Sequence, residues 1–124
     1  MKDPARRPVH VTIVSANEET LDGLQTYLQQ AGLDARGTRQ LEGGRTAESP
    51  QGAVVFFPDE FVRENVLREV RRLRRDQPRV LVVLVTSEPH RFVEALDIDD
   101  KPPHPVIVPK PVWGWIILDA IRGI

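Results

Sequence analysis

The chain has 124 residues, 40% of them hydrophobic and 28% charged, with a net charge of −1. These values describe one globular domain and lack the basic excess of a dedicated nucleic-acid binder. With no cysteine, disulfides, thiol catalysis and thiolate metal sites are excluded.

The elements follow in chain order. Residues 1–8 are charged and carry two prolines, and are expected to form a loose leader ahead of one domain spanning 9–124. Val9 to Val14 (VHVTIV) is apolar and β-branched, as expected of a buried strand. Asn17 is placed to cap a helix, with Glu18 and Glu19 against its positive end. Leu21, Leu24 and Leu28 give that helix one apolar stripe, and Gly32 ends it. A weak strand is predicted over Leu33 to Arg36. Gly37 to Gly52 holds Gly43, Gly44 and Pro50 with little periodicity and is expected to be loop, a second contact surface of the domain.

Ala53 to Phe57 (AVVFF) is a third strand closed by Pro58. A helix is predicted from Asp59, with Val62, Val66, Leu67, Val70 and Leu73 on one face and arginines on the other. Gln77 and Pro78 stop it. Val80 to Val85 (VLVVLV) is the most apolar strand, followed by a short helix from His90 to Leu96 and a proline-rich loop from Asp97 to Pro105. Val106 to Val108 is a fifth strand, and the last helix starts near Trp113. Apolar strands alternating with helices predict an α/β fold, a parallel sheet covered on both faces.

The chemistry-bearing residues do not assemble into an active site. His10, His90 and His104 show neither metal-ligand spacing nor a nucleophile beside them. Asp97, Asp99 and Asp100 lack the glycine and the closing glutamate of a calcium loop, and no phosphate-binding glycine loop follows a strand. The expectation is a non-enzyme with no cofactor. The arginines at 63, 68, 71, 72, 74 and 75 are expected to be the solvated face of an amphipathic helix, partly balanced by Asp59, Glu60, Glu64 and Glu69. Contact with an acidic protein is the other reading of that face.

Over residues 9–124 the sequence resembles the receiver domain of bacterial two-component response regulators. Thr86 ends the fourth strand, where receivers carry a Thr or Ser that reads the phosphoryl group, and Lys110-Pro111 follows the fifth, where they carry Lys-Pro. The resemblance implies a flavodoxin-like, five-stranded parallel sheet of order 2-1-3-4-5, with the site at the strands' carboxyl ends. The helix between the second and third strands would be reduced or lost.

The same resemblance shows what is missing. Receivers end the first strand in two acids that hold Mg²⁺, where this chain has Ser15 and Ala16. They end the third in the phosphate-accepting aspartate, where it has Phe57. The aromatic switch position is Ile107. Magnesium prefers carboxylate oxygens and aspartyl phosphorylation needs a carboxylate nucleophile, so the resemblance implies that Ser15, Ala16, Phe57, Thr86 and Lys110 would line a vestigial pocket.

The expected function is a phosphorylation-independent pseudo-receiver, acting through protein contacts in a bacterial signalling assembly. Its interface is expected on the last helix (VWGWIILDAIRGI). Ile117, Ile121 and Ile124 would face the sheet there. Trp113, Ile116 and Ala120, with Trp115 and Leu118, would leave apolar surface for a protein partner or a second copy. This is also the side receivers use for dimers and output. One alternative is a ligand or anion sensor anchored by Lys110 and Thr86; another is an atypical acceptor at Asp59. Neither a signal peptide nor a membrane-length apolar run is visible, so the expected location is cytoplasmic, without nucleic acid or membrane contacts.

Overall fold

A computed structural model of the chain describes residues 9–41, 52–97, 102–110 and 113–122. The predicted leader at 1–8, residues 42–51, where the helix is expected to be reduced or lost, Asp99, Asp100, Pro111 and Ile124 all lie outside the described residues.

Five strands form one parallel sheet of order β2-β1-β3-β4-β5: β1 (His10–Val14), β2 (Asp34–Thr38), β3 (Ala53–Phe56), β4 (Leu81–Thr86) and β5 (Val106–Pro109). This is the flavodoxin-like order. The buried residues of β3 and β4 run without a break, because side chains on both faces are covered.

One face carries α1 (Glu18–Gln30) and α3 (Gly114–Arg122). Leu21, Leu24 and Leu28 of α1 and Ile117, Leu118 and Ile121 of α3 pack there on Val11, Ile13, Val55 and Val83. The opposite face carries α2 (Arg63–Asp76) and a 3-10 helix (Pro89–Asp97), whose Val66, Val70, Leu73 and Phe92 pack on Val54, Phe56, Val82 and Leu84. Alternate strand residues thus feed opposite layers.

The caps of α1 form as the sequence predicts. The Asn17 side chain accepts the Thr20 N–H at 3.1 Å. At the other end Gly32 adopts φ +93° while Leu33 N–H returns to Leu28 O, satisfying an orphan carbonyl.

Several boundaries move. β2 takes in Gly37 and Thr38, which pair with Ile13 and Val14, so the predicted loop begins later. The predicted helix from Asp59 splits into a 3-10 turn (Pro58–Glu60) and α2, because the chain is extended at Phe61 and Val62. Val62 is an exposed N-cap rather than part of the apolar stripe. The arginine-rich helix is also less free on its outer side than expected. Arg63 bonds Arg91 O and Glu94, and the buried Arg74 bonds Pro103 O, tying α2 to the elements that follow β4.

Candidate functional site

The strand ladders run one residue past β1, β3 and β5, and that places the site. Ser15 N–H bonds Thr38 O, Phe57 N–H bonds Val14 O, and Lys110 N–H bonds Thr86 O, at 3.0–3.1 Å. Ser15, Phe57, Thr86 and Lys110 therefore stand at the carboxyl end of the sheet, where open α/β sheets bind ligands.

Phe57 is 5% exposed and points into the layer of α1 and α3, so an apolar ring fills the position that the sequence assigns to a missing acid. Lys110 Nζ lies 5.8 Å from its centroid, within range of the ring's negative face. Pro58 then opens the 3-10 turn, with Glu60 N–H reaching Phe57 O and Phe61 N–H reaching Pro58 O. Pro fits the first position of such a turn because it has no N–H to leave unpaired. The turn folds two successive carboxylates back over the strand ends, in opposite directions.

Asp59 reaches toward β4. Its Oδ1 accepts the Thr86 hydroxyl, and its Oδ2 accepts the Ser87 N–H at 2.9 Å and the Ser87 hydroxyl at 3.0 Å. Lys110 Nζ lies 3.5 Å from the same Oδ2. Thr86 Oγ1 is also held from behind by the Glu88 N–H at 3.0 Å. Burial pushes the Asp59 pKa up. The Ser87 N–H, the Thr86 and Ser87 hydroxyls and the Lys110 charge together outweigh that, holding the carboxyl below its ordinary 3.8. Asp59 is an ionised, fully engaged carboxylate.

Glu60 reaches toward β1. Its Oε1 accepts both the Ser15 hydroxyl and the Ala16 N–H at 2.7 Å, and Ser15 Oγ in turn accepts the Asn17 N–H at 3.1 Å. A carboxylate from the turn thus closes the end of β1, where the chain has Ser15 and Ala16. The set does not fit the divalent cation that the fold implies. Ser15 is buried and bonded to Glu60, and no group of three His, Cys, Asp or Glu side chains among the described residues is arranged to hold a metal ion.

Sequence reasoning brought Ser15, Phe57, Thr86 and Lys110 to one place. Lys110 has a convergent anionic partner in Asp59. Glu60 was not singled out as a site residue, because nothing in the sequence ties it to Ser15 45 positions away. Asp59, in the sequence an alternative acceptor and a counter-charge to the arginines, is brought to the site by the 3-10 turn.

Beside these residues a cleft of about 710 Å³ opens between α1 and α3. Leu24, Phe57 and Ile117 give it an apolar floor, Gly23 and Tyr27 one wall and Gly114 the other, with Ser87 and Lys110 at its polar end.

The interface residues divide. Trp113 and Trp115 are 71% and 55% exposed. Leu118 is buried, contrary to expectation, and Ile116 packs partly against the core, because α3 starts at Gly114 and turns Ile117, Leu118 and Ile121 toward the sheet. Ala120 lines a separate cleft with Asp119, His104 and the cis Pro102-Pro103 pair, at the sheet's opposite end. Ile107 is partly buried against the α2 layer. No helix among the described residues is long and apolar enough to cross a membrane.

No protein-family model and no curated protein matches the chain. Solved structures do. A response regulator from Thermotoga maritima aligns over 94% of this chain and 97% of its own, with a TM-score of 0.73 and 15% identity. A CheY-like receiver domain from Methanospirillum hungatei covers 94% and 93%, with a TM-score of 0.72 and 16% identity. A Burkholderia pseudomallei response regulator with a phosphorylated aspartic acid covers 91% of this chain and 66% of its own, with a TM-score of 0.73 and 18% identity. At such identities the likeness is one of fold: the chain has the fold of a response-regulator receiver domain.

Proposed function

We propose that the chain is a pseudo-receiver: a signalling module of receiver fold that acts by protein contacts and needs no phosphorylation. The observation that carries this is the Asp59 carboxylate. It sits two residues past the usual acceptor position and is bonded to Thr86 and paired with Lys110, the two residues whose counterparts in receivers engage the phosphoryl group. Asp59 acts as a built-in anionic surrogate, bonded to Thr86 and Ser87 and ion-paired with Lys110. Phe57 removes the ordinary acceptor, and its burial makes the substitution part of the core.

The partners on this reading are proteins of a bacterial, cytoplasmic regulatory assembly, including a second copy of the chain. Trp113 and Trp115 supply the exposed aromatic surface for these contacts.

The test is intact-mass spectrometry after incubation with acetyl phosphate and Mg²⁺, on wild type and Asp59→Asn. Both chains are expected to keep their unmodified mass. A phosphoryl adduct on wild type that is absent from Asp59→Asn would overturn the surrogate reading in favour of an acceptor at Asp59. That second reading draws support from the ionised state of Asp59. It requires Asp59 to release Thr86 or Ser87 before an oxygen can attack.

A further inference from the structure

We infer that the cleft between α1 and α3 is a binding site for a small planar aromatic anion. This goes beyond the surrogate reading of Asp59 and does not depend on it.

The cleft's volume, about 710 Å³, is of the size that takes a small organic molecule. One wall is open for a specific reason. Gly23 lies in the middle of α1, where glycine is the least favourable residue after proline. Packing does not demand it, since a Cβ built there would meet nothing within 4 Å. A side chain at Gly23 would enter the cleft, so glycine leaves the helix backbone bare along that wall. Across from it, a Cβ at Gly114 would come within 3.0 Å of the Tyr27 ring. The ring therefore lies close against the start of α3. With Phe57 in the floor and the Tyr27 ring closing the cleft against Gly114, two aromatic rings border the open space beside Gly23, a setting that suits an arene.

The polar end defines the charge. Lys110 Nζ is 3.5 Å from Asp59 Oδ2, beyond a direct hydrogen bond, while Ser87 holds that oxygen at 2.9 and 3.0 Å. Asp59 is satisfied chiefly by Ser87 and Thr86. The ammonium, with three donors and a side chain 31% exposed, retains donor capacity toward the cleft. An anionic substituent at Lys110 would place the attached ring near Phe57, whose centroid is 5.8 Å from Nζ.

The probe is 1-anilinonaphthalene-8-sulfonate, titrated by fluorescence into the full chain and displaced by 2-naphthoate, 2-naphthol or octanoate. One saturable site is expected, with 2-naphthoate displacing the dye about tenfold more strongly than either of the others. Gly23→Leu enters the cleft and leaves the Asp59 contacts alone. It is expected to weaken binding about tenfold or more while circular dichroism stays native. Lys110→Met should abolish the preference for the anion. Trp113→Ala should bind within about twofold of wild type, which separates this site from the exposed tryptophans. Amide shifts on the unaltered chain, on adding 2-naphthoate, should centre on Gly23, Ser87 and Gly114. Absence of a saturable site, equal displacement by octanoate or 2-naphthol, or shifts centred elsewhere would overturn the proposal. So would undiminished binding by folded Gly23→Leu.

Discussion

Thr86 donates its hydroxyl to Asp59 Oδ1 across 27 positions of sequence, joining the end of β4 to the turn that follows β3. Thr86 is buried, and the Asp59 side chain is partly covered, 18% exposed, although the residue as a whole lies at the surface. A charge-assisted bond in that setting is stronger than a neutral one, and expensive to leave half-made.

Asp59→Ala removes the acceptor of the buried Thr86 hydroxyl and is expected to cost about 1–2 kcal/mol in urea unfolding. The wild-type chain should also lose stability in acid. The folded state holds the Asp59 carboxyl below 3.8, so the unfolded chain takes up the proton more readily. The contribution is complete above about pH 5 and fades as pH falls through the folded-state pKa. Unfolding free energies measured from pH 6 down to about pH 2.5 should fall more steeply for wild type than for Asp59→Asn. Parallel curves would show that Asp59 is not held as described.

Glu60 and Ser15 form the matching bond on the β1 side, at 2.7 Å. Ser15 is fully buried, so Glu60→Ala leaves its hydroxyl with less to bond and frees the Ala16 N–H as well. A double-mutant cycle between Glu60→Ala and Ser15→Ala should give a coupling of about 1–2 kcal/mol by thermal or chemical unfolding. Additive effects would mean that the carboxylate does not clamp the end of β1.

The sheet was readable in the sequence where burial demands it. β3 and β4 are continuous apolar runs, because parallel strands covered on both sides have no polar face. β2 reads DARGT, with Ala35 its only buried residue, and sits at the sheet's edge. Backbone pairing with β1 defines it, and pairing leaves no side-chain signature. Thr86 and Lys110 were readable because they close strands at recognisable separations. The carboxylates were harder, since their reach depends on how Pro58 turns the chain. The facing of α3 was misjudged for Ile116 and Leu118 because the sequence shows two apolar stripes without saying where the first turn begins.

Gly52 gives a test of how tightly the sheet is closed. A Cβ there would stand 2.5 Å from His10 O, a backbone atom that cannot swing away. Nor can Gly52 retreat, because its own carbonyl accepts the Leu81 N–H at the start of β4. Gly52→Ala is expected to cost about 1–3 kcal/mol, read as a lowered melting temperature with the fold retained. A neutral substitution would show that β1 and β3 stand further apart at this end.

Trp113 and Trp115 test the self-association part of the proposed function. Both are more than half exposed, so Trp113→Ala with Trp115→Ala should leave monomer stability within about 0.5 kcal/mol. Ile116 is a poorer probe. It packs against the core beside Ile117, and Ile116→Glu would bury part of a charge at a cost of about 1–3 kcal/mol. Loss of association in that variant would then report unfolding as readily as a lost contact. Sedimentation velocity over a concentration series should show wild type associating, and the double tryptophan variant shifted toward monomer. Identical profiles at every concentration would exclude α3 as a contact between copies and leave its aromatic surface to a different protein.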